Sequence, residues 1–277
     1  MGVDSVSSPL SERYRRLGEF LRLKRERILP EDVGLRSSGR RRARGLRREE
    51  VASIANVGVS WYTWLEQGRA AGASLEVLDA VAEALQLDAD EHRYVLGLAR
   101  GDGGARVIAP SPAHRYRYAE LVETIATPAY VIDPCCRVIA ANNLAKECFD
   151  VGVGVSRLEQ FFLNEAFADR FVNPDLIGRR LVEQFRAQSG RYPDDPIFDT
   201  LAHRFRVRSA LFRKYWDQHV VGESYRGDVT FTHATRGPLT FEVLILTLDG
   251  DTQLRLCTYL PRHQDRMSSA GAARDAR

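Results

Sequence analysis

The sequence predicts an all-α N-terminal domain of five helices in a helix-turn-helix arrangement, joined to an α+β domain with an antiparallel sheet. Three observations carry this. The 277 residues exceed the roughly 100–200 of one domain. Apolar residues recur at helical spacing up to about residue 100, and strand-like runs appear only beyond "RGDGGARVIAPSPAHR", a stretch rich in Gly and Pro without periodicity. Hydrophobic content of 44% and charged content of 28% are ordinary for a globular chain, so each half has the apolar material for a core. The expected division is 11–100 for the helical domain, 101–113 for a linker, 114–261 for the α+β domain and 262–277 for a disordered polar tail.

Residues 15–29, "RRLGEFLRLKRERIL", place Leu17, Phe20, Leu21, Lys24 and Ile28 on one side of an amphipathic helix that Pro30 ends. A polar loop rich in Gly, Ser and Arg follows. Three short periodic segments come next, 47–55, 59–67 and 75–87, and a fifth helix, 89–99, starts after Asp88 as N-cap. Beyond the linker, "PAYVIDPCCRVIAANN" holds two apolar runs, 129–132 and 138–141, around Asp133-Pro134 and reads as a hairpin. Helical periodicity returns over 176–188, 197–208 and 210–219. Three strand-like runs close the chain, 228–233, 239–247 and 253–260.

The stretch from Gly45 to Arg69, "GLRREEVASIANVGVSWYTWLEQGR", has the proportions of a helix, a sharp turn and a second helix. Val51, Ala52 and Ala55 face inward, and Ala52 is small enough for a close crossing. Asn56 falls where the turn needs a left-handed residue, and Asn adopts that conformation more readily than other non-glycine residues. Gly58 or Ser60 caps the second helix. Tyr62 and Leu65 fill the core, which leaves Val59, Ser60, Thr63 and Trp64 outward, in position for a DNA major groove.

Charge is distributed to match. Residues 1–50 carry fourteen Arg or Lys against eight Asp or Glu, whereas the whole chain is only +3. Seven arginines fall between Arg36 and Arg48. This end is where a polyanion would dock.

The same residues carry a resemblance. "LRREEVASIANVGVSWYTWLEQG" resembles the helix-turn-helix of the lambda-repressor-like, or XRE-type, regulators, in which a Gly-Val-Ser turn precedes the recognition helix and the ending is here Leu65-Glu66-Gln67-Gly68. "LGEFLRLKRERILPEDVGL", "GRRRARGLRREEVA", "PAYVIDPCCRVIAANNLAKECF", "YPDDPIFDTLAHRFRVRSALFRKYWDQHVV" and "LRLCTYLP" are similar to the subset with a C-terminal MmyB-like ligand-binding domain of PAS-like fold. The likeness runs from Leu17 to Pro261. It departs at Asn56 and Gly58, where the family usually has Gly then Ser, and at Ala141-Asn142, where the family usually has Trp-Asn.

The resemblance implies a transcription regulator that binds a double-stranded DNA operator, and the groove geometry of such motifs leads us to expect a homodimer. It maps base contact onto Val59, Ser60, Thr63 and Trp64. Phosphate contact maps onto Arg48, with Arg47 and Arg69 flanking the motif and the loop residues Arg40, Arg41, Arg42 and Arg44 within reach of the backbone. None of the four base-facing residues offers a bidentate donor pair, so specificity leans on half-site spacing and DNA shape. In the second domain the resemblance implies a pocket for a small apolar ligand such as a fatty acid. Tyr130, Ile132, Ile139, Asn142, Phe161, Phe185, Phe212, Trp216, Phe231 and Leu244 are the candidate lining, with His219 for a polar head group. A second reading, of a different class, makes the aromatic-rich helical domain a protein-docking platform that binds no DNA.

Other classes find no support in the sequence. No apolar run approaches the ~18 residues of a membrane span. The start has no apolar core of a signal peptide, so a cytoplasmic location is expected. Cys135, Cys136, Cys148 and Cys257 lack metal-ligand spacing and read as reduced thiols. No HxxxH, GxSxG or Gly-rich phosphate loop appears, and Asp194-Asp195 reads as a cap for the following helix. No cofactor, no metal and no enzymatic activity are expected.

Overall fold

The computed structural model describes residues 9–35, 45–70, 72–100, 106–222, 227–248 and 254–262. The chain divides into two compact units, Met1–Arg106 with Ser189–Pro196, and Val107–Gln188 with Ile197–Arg277. The first holds the five helices expected: α1 (Pro9–Arg25), α2 (Arg48–Ile54), α3 (Val59–Glu66), α4 (Leu75–Ala84) and α5 (Ala89–Arg100), with a 3-10 turn at Pro30–Val33 between α1 and α2. Leu17, Phe20, Leu21, Val51, Tyr62, Leu65, Leu78, Val81 and Leu98 are buried within it. Phe20 meets Tyr94 edge to face at 5.2 Å between centroids.

Helix α1 begins six residues earlier than periodicity indicates and stops four residues sooner. Pro9 is its first helical residue, a position where the missing N–H is no loss. At the other end Leu29 precedes a proline and is held extended (φ −78°, ψ 147°), so the helix cannot reach it. Lys24, on the buried side as expected, is half-buried and ion-pairs with the buried Glu91 of α5. Asp88 caps α5, its Oδ1 accepting from the N–H groups of Asp90 and Glu91, both at 2.9 Å. Asn56 takes the left-handed conformation, φ 53°, and the Val57 N–H returns to the Ala52 carbonyl at 2.9 Å to close the turn. Gly58, not Ser60, occupies the cap position of α3.

The second unit contains the strands β1 (Ala129–Ile132), β2 (Val138–Ala141), β3 (Asp228–His233), β4 (Gly237–Thr247) and β5 (Arg255–Pro261). They form an antiparallel sheet of order β2-β1-β5-β4-β3. Helices α6 (Pro112–Glu123), α7 (Asn143–Phe149), α8 (Arg157–Phe162) and α9 (Glu165–Ala168) were not evident from periodicity, because each is short or lacks a one-sided apolar stripe. Ser111, Asn142, Ser156 and Asn164 cap them, each side-chain oxygen accepting from the backbone N–H three residues on. Helices α10 (Pro174–Arg191), α11 (Pro196–Arg208) and α12 (Ala210–Asp217) complete the chain order before β3. Residues 101–105 of the expected linker and 263–277 of the expected tail lie outside the described residues. Arg262 is described, and its Nη2 is 2.6 Å from the Asp228 carboxylate.

Side-chain parity gives the sheet two faces. Ala129 and Val131 of β1 and Leu256 of β5 join Val122 of α6, Ile139, Ala140 and Leu254 in one apolar cluster. Tyr130 and Ile132 of β1, Val243 and Ile245 of β4, Cys257 and Tyr259 of β5 and Val229 of β3 line a cavity on the other face. A register shift between Val131 and Ile132, where β1 meets β2, accommodates Ile139 as an extra residue.

Two glycines set the packing of the helical unit. A Cβ on Gly18 would lie 2.4 Å from the Glu66 carbonyl oxygen, so the backbones of α1 and α3 touch there. Gly68 combines φ +69° with a would-be Cβ 2.9 Å from the Arg15 backbone. Gly18→Ala is therefore expected to lower stability by ~1–3 kcal/mol through overpacking, despite alanine's better helix propensity. A urea titration checks this, and a rise in midpoint would contradict the close crossing.

Candidate DNA interface and ligand cavity

Helix α3 presents two faces, and the inner one is organised by Glu66. Its carboxylate is buried, with side-chain exposure of 1%. Arg25 of α1 donates to it from Nε at 2.5 Å and from Nη2 at 3.2 Å, while Arg25 Nη1 donates to the Leu46 carbonyl at 2.8 Å. Arg48, the first residue of α2, donates from Nε to Glu66 Oε2 at 2.7 Å. Two cations from two helices thus converge on one anion of a third. Tyr62, one turn before Glu66, is fully buried, and its phenol is raised above its ordinary range by burial and by the neighbouring carboxylate.

The outer face carries the four residues read as base contacts. Val59, Ser60 and Trp64 are exposed, Trp64 to 54%, and Thr63 is half-exposed. The Thr63 hydroxyl donates to the Val59 carbonyl at 2.8 Å, which leaves its oxygen to accept. Trp61 is half-buried, so the three aromatic residues of this helix divide between inside, edge and outside. A surface cleft lined by Arg25, Arg47, Arg48, Glu49, Val59 and Thr63 brings the start of α2 beside the start of α3. It unites two of the phosphate candidates, Arg47 and Arg48, with two of the base candidates. Arg69 is exposed beyond Gly68 and does not line this cleft. Arg40, Arg41, Arg42 and Arg44 lie outside the described residues.

In the second unit the cavity between the sheet and α10 measures about 50 Å³ for the centres of water-sized spheres. Of the eleven residues read as ligand-binding, the structure brings Tyr130 and Ile132 to it. Leu244 points from the opposite face of β4 and is 38% exposed, one residue out of phase with the lining residues Val243 and Ile245. Ile139 sits in the cluster beneath α6. Phe185 packs on Phe198, Phe212 and Trp216, because on α10 the cavity-facing stripe is Ile177, Leu181 and Gln184, spaced at i, i+4 and i+7. Phe161 lies against Phe162 and Phe171. Phe231 lies against Phe149, Phe167 and Phe171.

Asn142 has a different task. Its Oδ1 accepts from Ala145 N at 2.9 Å and Ala129 N at 3.1 Å, and its Nδ2 donates to the carbonyls of Thr127, Ile125 and Val122 at 2.8–3.2 Å. The side chain is saturated by backbone, tying α6, β1 and α7 together. Trp216 stacks on Phe212 and lies under the Arg186 guanidinium, 3.9 Å from its ring centroid. His219 follows α12 in a left-handed conformation, φ 50°, and does not line the cavity.

Residues not read as ligand-binding from the sequence complete the lining: Cys136, Arg157, Phe171, Ile177, Arg180, Leu181, Gln184, Val229, Val243, Ile245, Cys257 and Tyr259. Strict alternation along β4 and β5 and the i, i+4, i+7 stripe on α10 held the signal for most of them. The cysteines are free; burial pushes the Cys136 thiol up and the Cys257 thiol to about 11, so both stay protonated near neutrality. No group of three or more metal-ligating side chains occurs among the described residues. No described helix is long and apolar enough to cross a membrane.

Comparison with known families agrees with this layout. Residues 115–272, more than half of the chain, match a family described as MmyB-like transcription regulator ligand binding domain. Residues 16–95 match a family described as helix-turn-helix domain. No curated protein matches the chain.

The convergence on Glu66 makes a firm expectation. Glu66→Ala leaves Arg25 buried without its counter-charge and should reduce the stability of the helical unit by about 3–5 kcal/mol. Chemical denaturation followed through Trp61 and Trp64 fluorescence measures it, and a loss below about 1 kcal/mol would show that the helices hold without the carboxylate.

Proposed function

The chain belongs to the family of MmyB-like transcription regulators, and on that premise we propose that it is a sequence-specific DNA-binding regulator whose C-terminal cavity senses a small apolar ligand, such as a fatty acid, in the cytoplasm. The observation that carries the DNA-binding half is the cleft in which Arg47 and Arg48 flank Val59 and Thr63, beside the exposed Trp64. Arg47, Arg48 and Arg69 engage phosphates on either side of the groove. Arg40, Arg41, Arg42 and Arg44 add to the same backbone contacts. Arg48 serves twice, because its Nε holds Glu66 while its remaining nitrogens stay available to a phosphate.

Val59 and Trp64 offer apolar contact to thymine methyls or sugars, and Ser60 and Thr63 offer hydroxyls that suit several bases. Such a set discriminates modestly per half-site. Two copies acting as a homodimer, each placing α3 in a groove one helical turn from the other, supply the rest through spacing. Ligand occupancy in the cavity shifts that spacing and thereby operator affinity. The residues assembled here support binding and not turnover, so no enzymatic step is assigned.

Selection from randomised duplexes, followed by titration at several salt concentrations, tests this. Arg47→Ala is expected to lower the slope of log K against log salt by about one and to weaken all sequences alike. Trp64→Ala is expected to change which bases are preferred while leaving that slope in place. Equal affinity for selected and scrambled duplexes would refute sequence-specific binding.

A further inference from the structure

Helix α10 takes part in two structures at once. Ile177, Arg180, Leu181 and Gln184 line the cavity. Its last turn, residues 189–191, falls within Ser189–Pro196, which belongs to the helical unit although the sequence on both sides, Val107–Gln188 and Ile197–Arg277, belongs to the other. Tight contacts set this segment against α1 and α5. A Cβ on Gly97 of α5 would overlap the Gly190 carbonyl oxygen, and a Cβ on Gly190 would overlap the Tyr94 ring. Glycine at both positions is what lets the two helices approach so closely. Two buried arginines of α1 hold the same segment: Arg16 Nη2 donates to Ser189 Oγ at 2.8 Å, and Arg13 Nη1 lies 3.3 Å from the Asp194 carboxylate. Asp194, read from the sequence as part of a helix cap, thus meets a cation 181 residues away.

Between the cavity wall and this dock α10 is stiff. Residues 179–189 contain neither Gly nor Pro, and Arg179 pairs with Glu183 one turn on at 2.8 Å. Its 18 residues make a rod of about 27 Å. The helices that receive its end are in turn packed towards the reading helix. Tyr94 of α5 meets Phe20 of α1, and α1 touches the α3 backbone where a Cβ on Gly18 would overlap the Glu66 carbonyl oxygen. Interiors packed this closely transmit displacement instead of absorbing it.

We propose that α10 is the rod by which the cavity acts on the reading helix: whatever fills the cavity displaces the wall residues of α10, and the docked last turn carries that displacement through α1 and α5 to α3. This inference rests on the cavity being the sensing site and α3 the reading helix, as proposed above, and it adds the route between them. It makes Arg13, Gly97, Gly190 and Asp194 coupling residues, none of which lines the cavity or the cleft beside α3.

The test uses the full chain, with Val243→Phe standing in for an occupant by placing a ring in the cavity from β4. Hydrogen exchange is expected to change at residues 189–196 and along α1 as well as in α10. Affinity for a duplex selected with the wild-type protein is expected to shift by about fivefold or more. Gly97→Val adds a side chain against the Gly190 carbonyl and gives α5 a better helix former. It should keep the duplex preference and reduce the Val243→Phe shift to less than about twofold. Should either variant fail to fold, Val229→Phe fills the cavity from β3, and Arg13→Met with Asp194→Ala releases the segment. Exchange unchanged at residues 189–196 and in α1 would overturn the route while leaving both sites as proposed, and so would a full affinity shift that survives Gly97→Val. If the wild-type protein prefers no duplex, the reading of α3 fails, and the exchange measurement still decides whether α10 couples the cavity to α1.

Discussion

The Glu66 carboxylate is the constraint on which the helical unit depends. A single anion receives Arg25 from α1 and Arg48 from α2, and it is itself carried on α3, so three helices share one electrostatic centre. Consequences follow from helix geometry. With Glu66 turned inward, Tyr62 and Leu65 share its buried side, and Trp64, two residues back and rotated by about 200°, must face out. The outward face of α3 is thus a product of the inward pairing. The same bond draws Arg48 to the cleft that it lines with Arg47, Val59 and Thr63.

The C-terminal unit treats buried charge in the opposite manner. In the helical unit a carboxylate is saturated by two cations; in the cavity Arg157 is held by a glutamine and by aromatic faces and keeps a donor unsatisfied. The first arrangement fixes which face of α3 is turned outward. The second leaves a buried guanidinium with one donor unpaired at the wall of the cavity. Around it the sheet contributes shape through alternation alone: one face closes on α6, and the other supplies the aliphatic wall opposite α10.

The helical unit was largely legible in the sequence because its signals are local. Asn56 at the turn, Asp88 as a cap, the division of Tyr62 from Trp64 and the strand positions 129–132, 138–141 and 228–233 all follow from short-range rules and reappear in the structure. The partner of Glu66 was not legible, since Arg25 is 41 residues away and periodicity says nothing of who meets whom. The cavity was the least legible part. Leu244 and Phe185 were chosen for size, whereas their neighbours Val243 and Gln184 face the space, and phase decides lining where bulk does not. Arg157 escaped notice because a charged residue at the start of a short helix usually faces solvent. Asn142 showed the reverse: a polar residue at a suggestive position whose hydrogen bonds all go to backbone.

The place of β1 in the sheet has a temporal meaning. It is the first strand made, yet it lies between β2 and β5, and its Tyr130 pairs with Cys257 some 127 residues later. As the chain leaves the ribosome, the β1–β2 hairpin has one edge open for most of synthesis, and the aliphatic wall cannot form until residues near 260 have emerged. The helix-turn-helix segment needs only contacts from the first hundred residues to bring Arg25, Arg48 and Glu66 together. The residues that form the Glu66 cluster are therefore all present well before the strands that build the cavity wall, and the β1 edge that will receive β5 stays unpaired in the meantime.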